Sequence, residues 1–248
     1  MRSGEADGAG PGNGPHRHGH CTGMLVEIWS DVVCPWCYIG RRRFERALAG
    51  FEHAGEVEVV RRSFQLDPAA PPFDPARPPV DQVRMLAEKY GGGRENALGM
   101  IRRVSDLAAQ EGLEFDLEHA LGGSTRAAHR LLHAALAEGG PALQGDVEES
   151  VMDGYFCRRE HVADPAALLR LAVRAGMDEV AAQRVLTGDE HDDAVAEDLR
   201  LAAELGITGV PFFVLDRRYG VSGAQPVETL AGALDQAWHE RDTAVAPS

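Results

Sequence analysis

The stretch SDVVCPWCYIG, residues 30–40, places two cysteines two residues apart, directly after an apolar run. The 248-residue chain has only 4 cysteines, so this pairing needs a reason. Three chemistries compete: half of a metal site, an inert structural bridge, or a pair that makes and breaks a disulfide. The flanking residues bear on the choice. MLVEIWS, 24–30, is short, apolar and partly β-branched, and reads as a strand. PWCYIGRRRFERALA, 35–49, carries Tyr38, Ile39, Phe44, Ala47 and Leu48 at mostly helical spacing. Pro35 suits the first turn, where a missing N–H costs nothing. Cys34 and Cys37 therefore sit where a strand turns into a helix.

Beyond this turn, VEVVRRSFQL, 57–66, reads as a second strand, and the proline-rich DPAAPPFDPARPP, 67–79, as an extended linker. A long helical tract follows. STRAAHRLLHAALAEGG ends at a double glycine, DVEESVMDGYF is a further amphipathic segment, and in ADPAALLRLAVRAG Asp164 caps with Pro165 in the first helical position. Strands return at PFFVLD, 211–216, and YGVSG, 219–223, before a final helix, VETLAGALDQAWHE. This order predicts an α/β protein: a thioredoxin-like fold with a large all-helical domain inserted between the βαβ and ββα halves. The expected divisions are a disordered extension over 1–23, a first thioredoxin-like half over 24–66, the inserted domain over 67–188, the second half over 189–241 and a flexible tail over 242–248. A CxxC pair after the first strand of a βαβ unit is the thioredoxin-like redox context.

Composition narrows the function. Lys+Arg total 25 against 39 Asp+Glu, a net charge of −14, which disfavours nucleic acid and anionic membrane as partners. No apolar run approaches the ~20 residues of a membrane helix. Residues 1–23 are rich in Gly, Pro and His, bury too little to order, and lack the apolar core of a signal peptide. The cytoplasm is the expected location, where a cysteine pair is more often catalytic or metal-binding than structural. His16, His18, His20 and Cys21 are an opportunistic metal-binding set at most, and no metal is expected.

Cys34 lies at the helix start, where free N–H groups and the positive dipole end favour an anion. Such a location lowers a thiol pKa from about 8.5 toward about 3.5–7.5, making Cys34 the attacking sulfur and Cys37, one turn inward, the resolving one. Zinc wants four ligands, and Cys21 and Cys157 form no second CxxC. His129 and His133 are four residues apart but read as surface or packing residues. In GITGVPFFVLD, 206–216, a Val-Pro bond enters a strand, where proline is normally confined to edges, starts or bulges. A cis bond is expected at Pro211, leaving the Val210 backbone free to pair with an extended peptide. Pro35, Trp36, Val210 and Pro211 form the candidate substrate-binding set.

VEIWSDVVCPWCYIGRRRFERAL, SFQLDP, AHRLLHAA, GVPFFV and VSGAQP together resemble the DsbA-family thiol:disulfide oxidoreductases, in their FrnE-like branch. The resemblance covers residues 24–240. It implies a thioredoxin domain with a helical insertion, Cys34 as nucleophile, Cys37 as its partner and a cis-Pro211 opposite them. It implies exchange with protein or small-molecule thiols, no cofactor beyond the redox-active disulfide, and glutathione as a candidate co-substrate. The dipeptide Pro35-Trp36 departs from the Pro-His of the periplasmic oxidase and the Gly-Pro of thioredoxin, so redox poise does not carry over. Glutathione-dependent isomerases and kappa-type transferases share the architecture but typically carry serine where Cys34 stands; they are the alternative reading, with a purely binding role behind them.

Four further expectations concern single residues. Asp31 reads as a turn cap, with tuning of the cysteines as the alternative. Glu27 reads as edge or solvent-facing, with a buried proton relay as the alternative. Arg41, Arg42 and Arg43 read as a solvated helix face. Cys157 reads as a small buried hydrophobe rather than an electron relay.

Overall fold

The protein is described here by a computed structural model over residues 23–77 and 80–245. In chain order its elements are β1 (Met24–Ser30), α1 (Pro35–Ala49), β2 (Val57–Ser63), β3 (Val80–Asp81), α2 (Gln82–Tyr90), α3 (Gly93–Gln110), β4 (Leu121–Gly122), α4 (Arg126–Cys157), α5 (Pro165–Arg174), α6 (Glu179–Thr187), α7 (Asp192–Glu204), β5 (Phe212–Leu215), β6 (Tyr219–Ser222) and α8 (Val227–Val245).

β1 is apolar nearly throughout because it runs inside a sheet covered on both faces. The strand order is β2-β1-β5-β6. β1 pairs in parallel with β2, from Met24 opposite Val57 to Ser30 opposite Ser63, and antiparallel with β5, from Val26 opposite Leu215 to Trp29 opposite Phe212. On one face, Val26, Ile28, Phe44, Phe213, Leu230 and Leu234 join the sheet to α1 and α8. On the other, Trp29 and Val214 pack against Ala202 and Ile207 at α7 and its C-terminal turn. The remaining helices build a separate core of Ile101, Leu131, Val151, Phe156 and Leu168 that also takes in Cys34, Cys37 and Tyr38. The CxxC turn thus lies where the helical insertion meets the sheet.

Local chemistry explains the helix ends. Asp164 accepts a hydrogen bond from the Ala166 N–H with Pro165 first in α5, and Asp178 accepts from the Ala181 N–H at α6. The first arm of α4 ends at the double glycine, as its sequence predicts: Gly139 (φ −132°, ψ 15°) and Gly140 (φ 69°, ψ −167°) leave the helical region, and Pro141 opens a second helical arm. The left-handed φ of Gly140 is one that glycine adopts without steric cost.

α8 runs to Val245, past the expected boundary at 241; residues 246–248, and 1–22 with His16, His18, His20 and Cys21, lie outside the described residues. Two expectations need correction. Glu27 is neither at an edge nor solvent-facing. It is 3% exposed on the central strand and accepts hydrogen bonds from Arg62 Nε (2.9 Å) and Arg217 Nε (3.1 Å), the pairing a buried carboxylate requires. Arg41, Arg42 and Arg43 are not a solvated face, because the insertion docks on α1. Arg41 donates to the Gly145 carbonyl (2.9 Å), Arg42 pairs with Glu149, and Arg43 donates to Glu111 Oε1 (2.6 Å) and the Ala224 carbonyl (2.7 Å).

Candidate active site

Cys34 is the N-cap of α1, with extended backbone (φ −88°, ψ 112°). Its N–H donates to the Asp31 carbonyl (2.9 Å), and its own carbonyl accepts from the Cys37 N–H (3.0 Å), closing the first turn. Cys34, Cys37 and Cys157 are all free thiols. The Cys34 Sγ–H donates to the Val210 carbonyl at 3.6 Å, and the Val210–Pro211 peptide bond is cis. α1 approaches this loop closely. A Cβ on Gly40 would lie 2.9 Å from Pro211 Cγ, so glycine at position 40 permits the contact. Trp36 is 43% exposed beside a half-buried Pro35. The structure thus brings Cys34, Cys37, Val210 and Pro211 together and leaves Trp36 at the surface.

The two thiols differ in environment. Cys37 is pushed well above the ordinary thiol range by burial, and further by the hydrogen bond and charge of Cys34, against smaller opposing effects of the Asp31 backbone and Ser30. Asp31, 1% exposed, does not cap the turn with its side chain, as its sequence position suggests, but reaches across the fold: Oδ2 accepts from the Leu66 N–H (2.8 Å) and Oδ1 lies 3.3 Å from His129 Nε2. This ties the CxxC turn to the segment after β2 and to α4.

His129 and His133 do not converge on a metal. His133 Nε2 lies 2.8 Å from Asp198 Oδ2, which also accepts from the Ser63 N–H (2.8 Å). Among the described residues, no group of three or more His, Cys, Asp and Glu side chains is placed to hold a metal, and no helix is long and apolar enough to cross a membrane. Cys157 ends α4, half-buried, its thiol pushed up to about 11 by burial and then by Asp153.

Sequence reasoning missed Asp198, Gln144 and Glu148. Gln144 spans the outer edge of β2, accepting from the Arg61 N–H and donating to the Arg61 carbonyl, each at 2.9 Å. Glu148 is 3% exposed between Arg41 (3.0 Å) and Arg61 (2.9 Å). The one available signal was an amide and a carboxylate, Gln144 and Glu148, spaced to share a helix face with Val147 and Val151.

Comparison with known proteins gives consistent likenesses. The family model described as DSBA-like thioredoxin domain matches residues 25–235. A structure from Streptomyces coelicolor, described as a probable DsbA oxidoreductase, is 45% identical with a TM-score of 0.82, covering 91% of this chain and 92% of its own. YwbO of Bacillus subtilis, described as uncharacterized, is 26% identical over 198 residues, 77% of this chain and 86% of its own length. The cytosolic disulfide reductase DsbM of Pseudomonas aeruginosa, solved with GSH, is 19% identical with a TM-score of 0.54 over 89% of this chain and 98% of its own, a likeness of fold.

Proposed function

The chain belongs to the DSBA-like thioredoxin domain family and is a DsbA-like disulfide oxidoreductase acting on thiol or disulfide substrates, and from that premise we propose that Cys34 and Cys37 carry the exchange through a mixed disulfide on Cys34. The observation that carries this reading is the meeting of the Cys34 Sγ at the start of α1 with the Val210 carbonyl. An extended substrate segment pairing with the Val210 backbone would present its sulfur to Cys34.

In the reducing direction the Cys34 thiolate attacks a substrate disulfide. One Cys34–substrate S–S bond forms, the substrate S–S bond breaks, and one substrate sulfur leaves as thiolate. Cys37, deprotonated, then attacks Cys34; the intramolecular disulfide forms and the second substrate thiolate leaves. Two electrons pass from the dithiol to the substrate, and the reverse sequence oxidises a substrate dithiol. Trp36 and Pro35 supply apolar contact beside the nucleophile. A cytoplasmic setting, and glutathione as a co-substrate, belong to the same proposal.

Dithiothreitol-dependent reduction of insulin tests it. The wild type accelerates precipitation of the insulin B chain, and Cys34→Ser abolishes the acceleration. Full activity in Cys34→Ser refutes the assignment. Glutathione conjugation without redox turnover would favour the isomerase or transferase reading instead.

A further inference from the structure

Cys37 is 2% exposed and its thiol is pushed well up, yet it must lose its proton to resolve a mixed disulfide, since the thiolate is the nucleophile. A cavity of about 60 Å³ adjoins it, lined by Ile28 and Ser30 of β1, Cys37 and Arg41 of α1, Arg61 of β2 and Glu148 of α4. A space of this size accommodates a water where polar groups offer it partners. Ser30 is 5% exposed, and its Oγ has no hydrogen-bond partner among the described residues. Nevertheless this hydroxyl is near enough to favour the ionised forms of both Cys37 and Glu148. It lines this cavity together with a buried acid that must ionise and a buried carboxylate.

We propose that Ser30 and Glu148 form the proton path of Cys37: the thiol proton passes through the Ser30 hydroxyl, directly or by a water in this cavity, to the Glu148 carboxylate. The inference rests on the exchange reading above. β1 offers the cavity only Ile28 and Ser30, so the accepting group comes from the helical insertion. Burial alone would raise the Glu148 carboxyl, but Arg61 and Arg41 outweigh it and hold the group below the ordinary range, ionised at neutral pH. The other charges facing this cluster are Glu45 of α1 and Glu149 of α4, both paired with Arg41.

In the mixed disulfide Cys34 carries no thiolate, so two of the influences that raise Cys37 disappear and burial remains. The step balances as follows. The Cys37 S–H bond breaks and its proton reaches Glu148; the Cys37–Cys34 S–S bond forms; the Cys34–substrate S–S bond breaks; the substrate sulfur leaves with the electron pair. In the oxidising direction Glu148 returns the proton.

The test uses the full reduced chain with Cys21→Ser and Cys157→Ser, and 5,5′-dithiobis(2-nitrobenzoate) as the disulfide. Attack by Cys34 releases the first nitrothiolate, and attack by Cys37 releases the second; absorbance separates the two phases. Ser30→Ala and Glu148→Gln should slow the second phase on the order of 10²-fold at pH 7, within the range of general acid–base catalysis. In both variants the second-phase rate should then climb about tenfold per pH unit as hydroxide takes over the role, and Ser30→Thr should restore the wild-type profile. Glu148→Gln leaves two buried arginines short of a charge; should it fail to fold, Ser30→Ala decides alone, since it keeps the Arg41–Glu148–Arg61 cluster. Wild-type second-phase rates and pH profile in Ser30→Ala overturn the proton path and leave the exchange reading standing. Absence of a second release in the wild type overturns the exchange reading, and the path with it.

Discussion

Cys34 and Cys37 are separated by two residues and unlike in chemistry. Burial and the neighbouring sulfur hold the Cys37 thiol well up, while Cys34 meets the Val210 carbonyl. Brief iodoacetamide treatment of the reduced protein at pH 7 should therefore alkylate Cys34 and spare Cys37, as read by peptide mass mapping; labelling of Cys37 first would reverse their roles. Cys157, pushed up to about 11, should label slowly, and Cys157→Ser should keep full insulin-reducing activity. Gly40 allows a second test. In Gly40→Ala a methyl 2.9 Å from the rigid Pro211 ring must displace the loop that carries Val210. Overpacking of this kind costs about 1–3 kcal/mol. At roughly 2–4 °C per kcal/mol for a chain of this size, Tm should fall by several degrees, with slower exchange. An unchanged Tm and rate would show that the ring yields. At this scale the cysteine pair was legible because both residues and the turn that holds them are local in sequence. Gln144 and Glu148 were not, because they meet Arg61 from 83 and 87 residues away.

Helix α4 and strand β2 show what patterning could and could not reveal. The helical content of 126–157 and the interruption at its double glycine follow from local propensity. Which face docks where does not, since a tract with many apolar positions leaves several faces eligible. The same limit misplaced the arginines of α1: a run of three charges reads as solvated until the elements carrying Glu111, Glu148 and Glu149 are known to pack on it. β2 is an edge strand, and Gln144 supplies the hydrogen bonds a neighbouring strand would have supplied to Arg61. Gln144→Ala should strand both backbone groups and cost about 1–3 kcal/mol, measured by urea denaturation. Should the Ala variant match the wild type, water replaces the amide at this edge.

Across the whole molecule, acid should loosen the union of insertion and sheet. Burial would raise both carboxyls, but Arg61 and Arg41 together hold Glu148, and Arg43 and Arg46 together hold Glu111, below the ordinary carboxylate range. A carboxyl whose folded pKa lies below its unfolded value adds stability that is complete above the unfolded value and lost as pH falls through the folded one. Stability should thus hold steady above about pH 5 and decline below about pH 4. Urea midpoints at pH 7 and pH 3.5 check this; an equal midpoint at both would remove these pairs from the account. The βαβ and ββα ends of the fold were legible because strand runs and the CxxC turn mark them. The docking that unites them with the helices was not, because it rests on charges far apart in the chain. The break at Gly139–Gly140 bears on the same union through the aim of the second arm. His129 and His133 precede the joint; Gln144 and Glu148 follow it. The fixed turn per residue of an α-helix lapses across these two glycines, so their own φ and ψ set where the second arm points. A side chain at position 140 that drove φ negative would leave the histidines on Asp31 and Asp198 while carrying Gln144 and Glu148 away from Arg61. The joint aims one arm against the other, and it does so with a backbone conformation that glycine adopts freely and other residues do not.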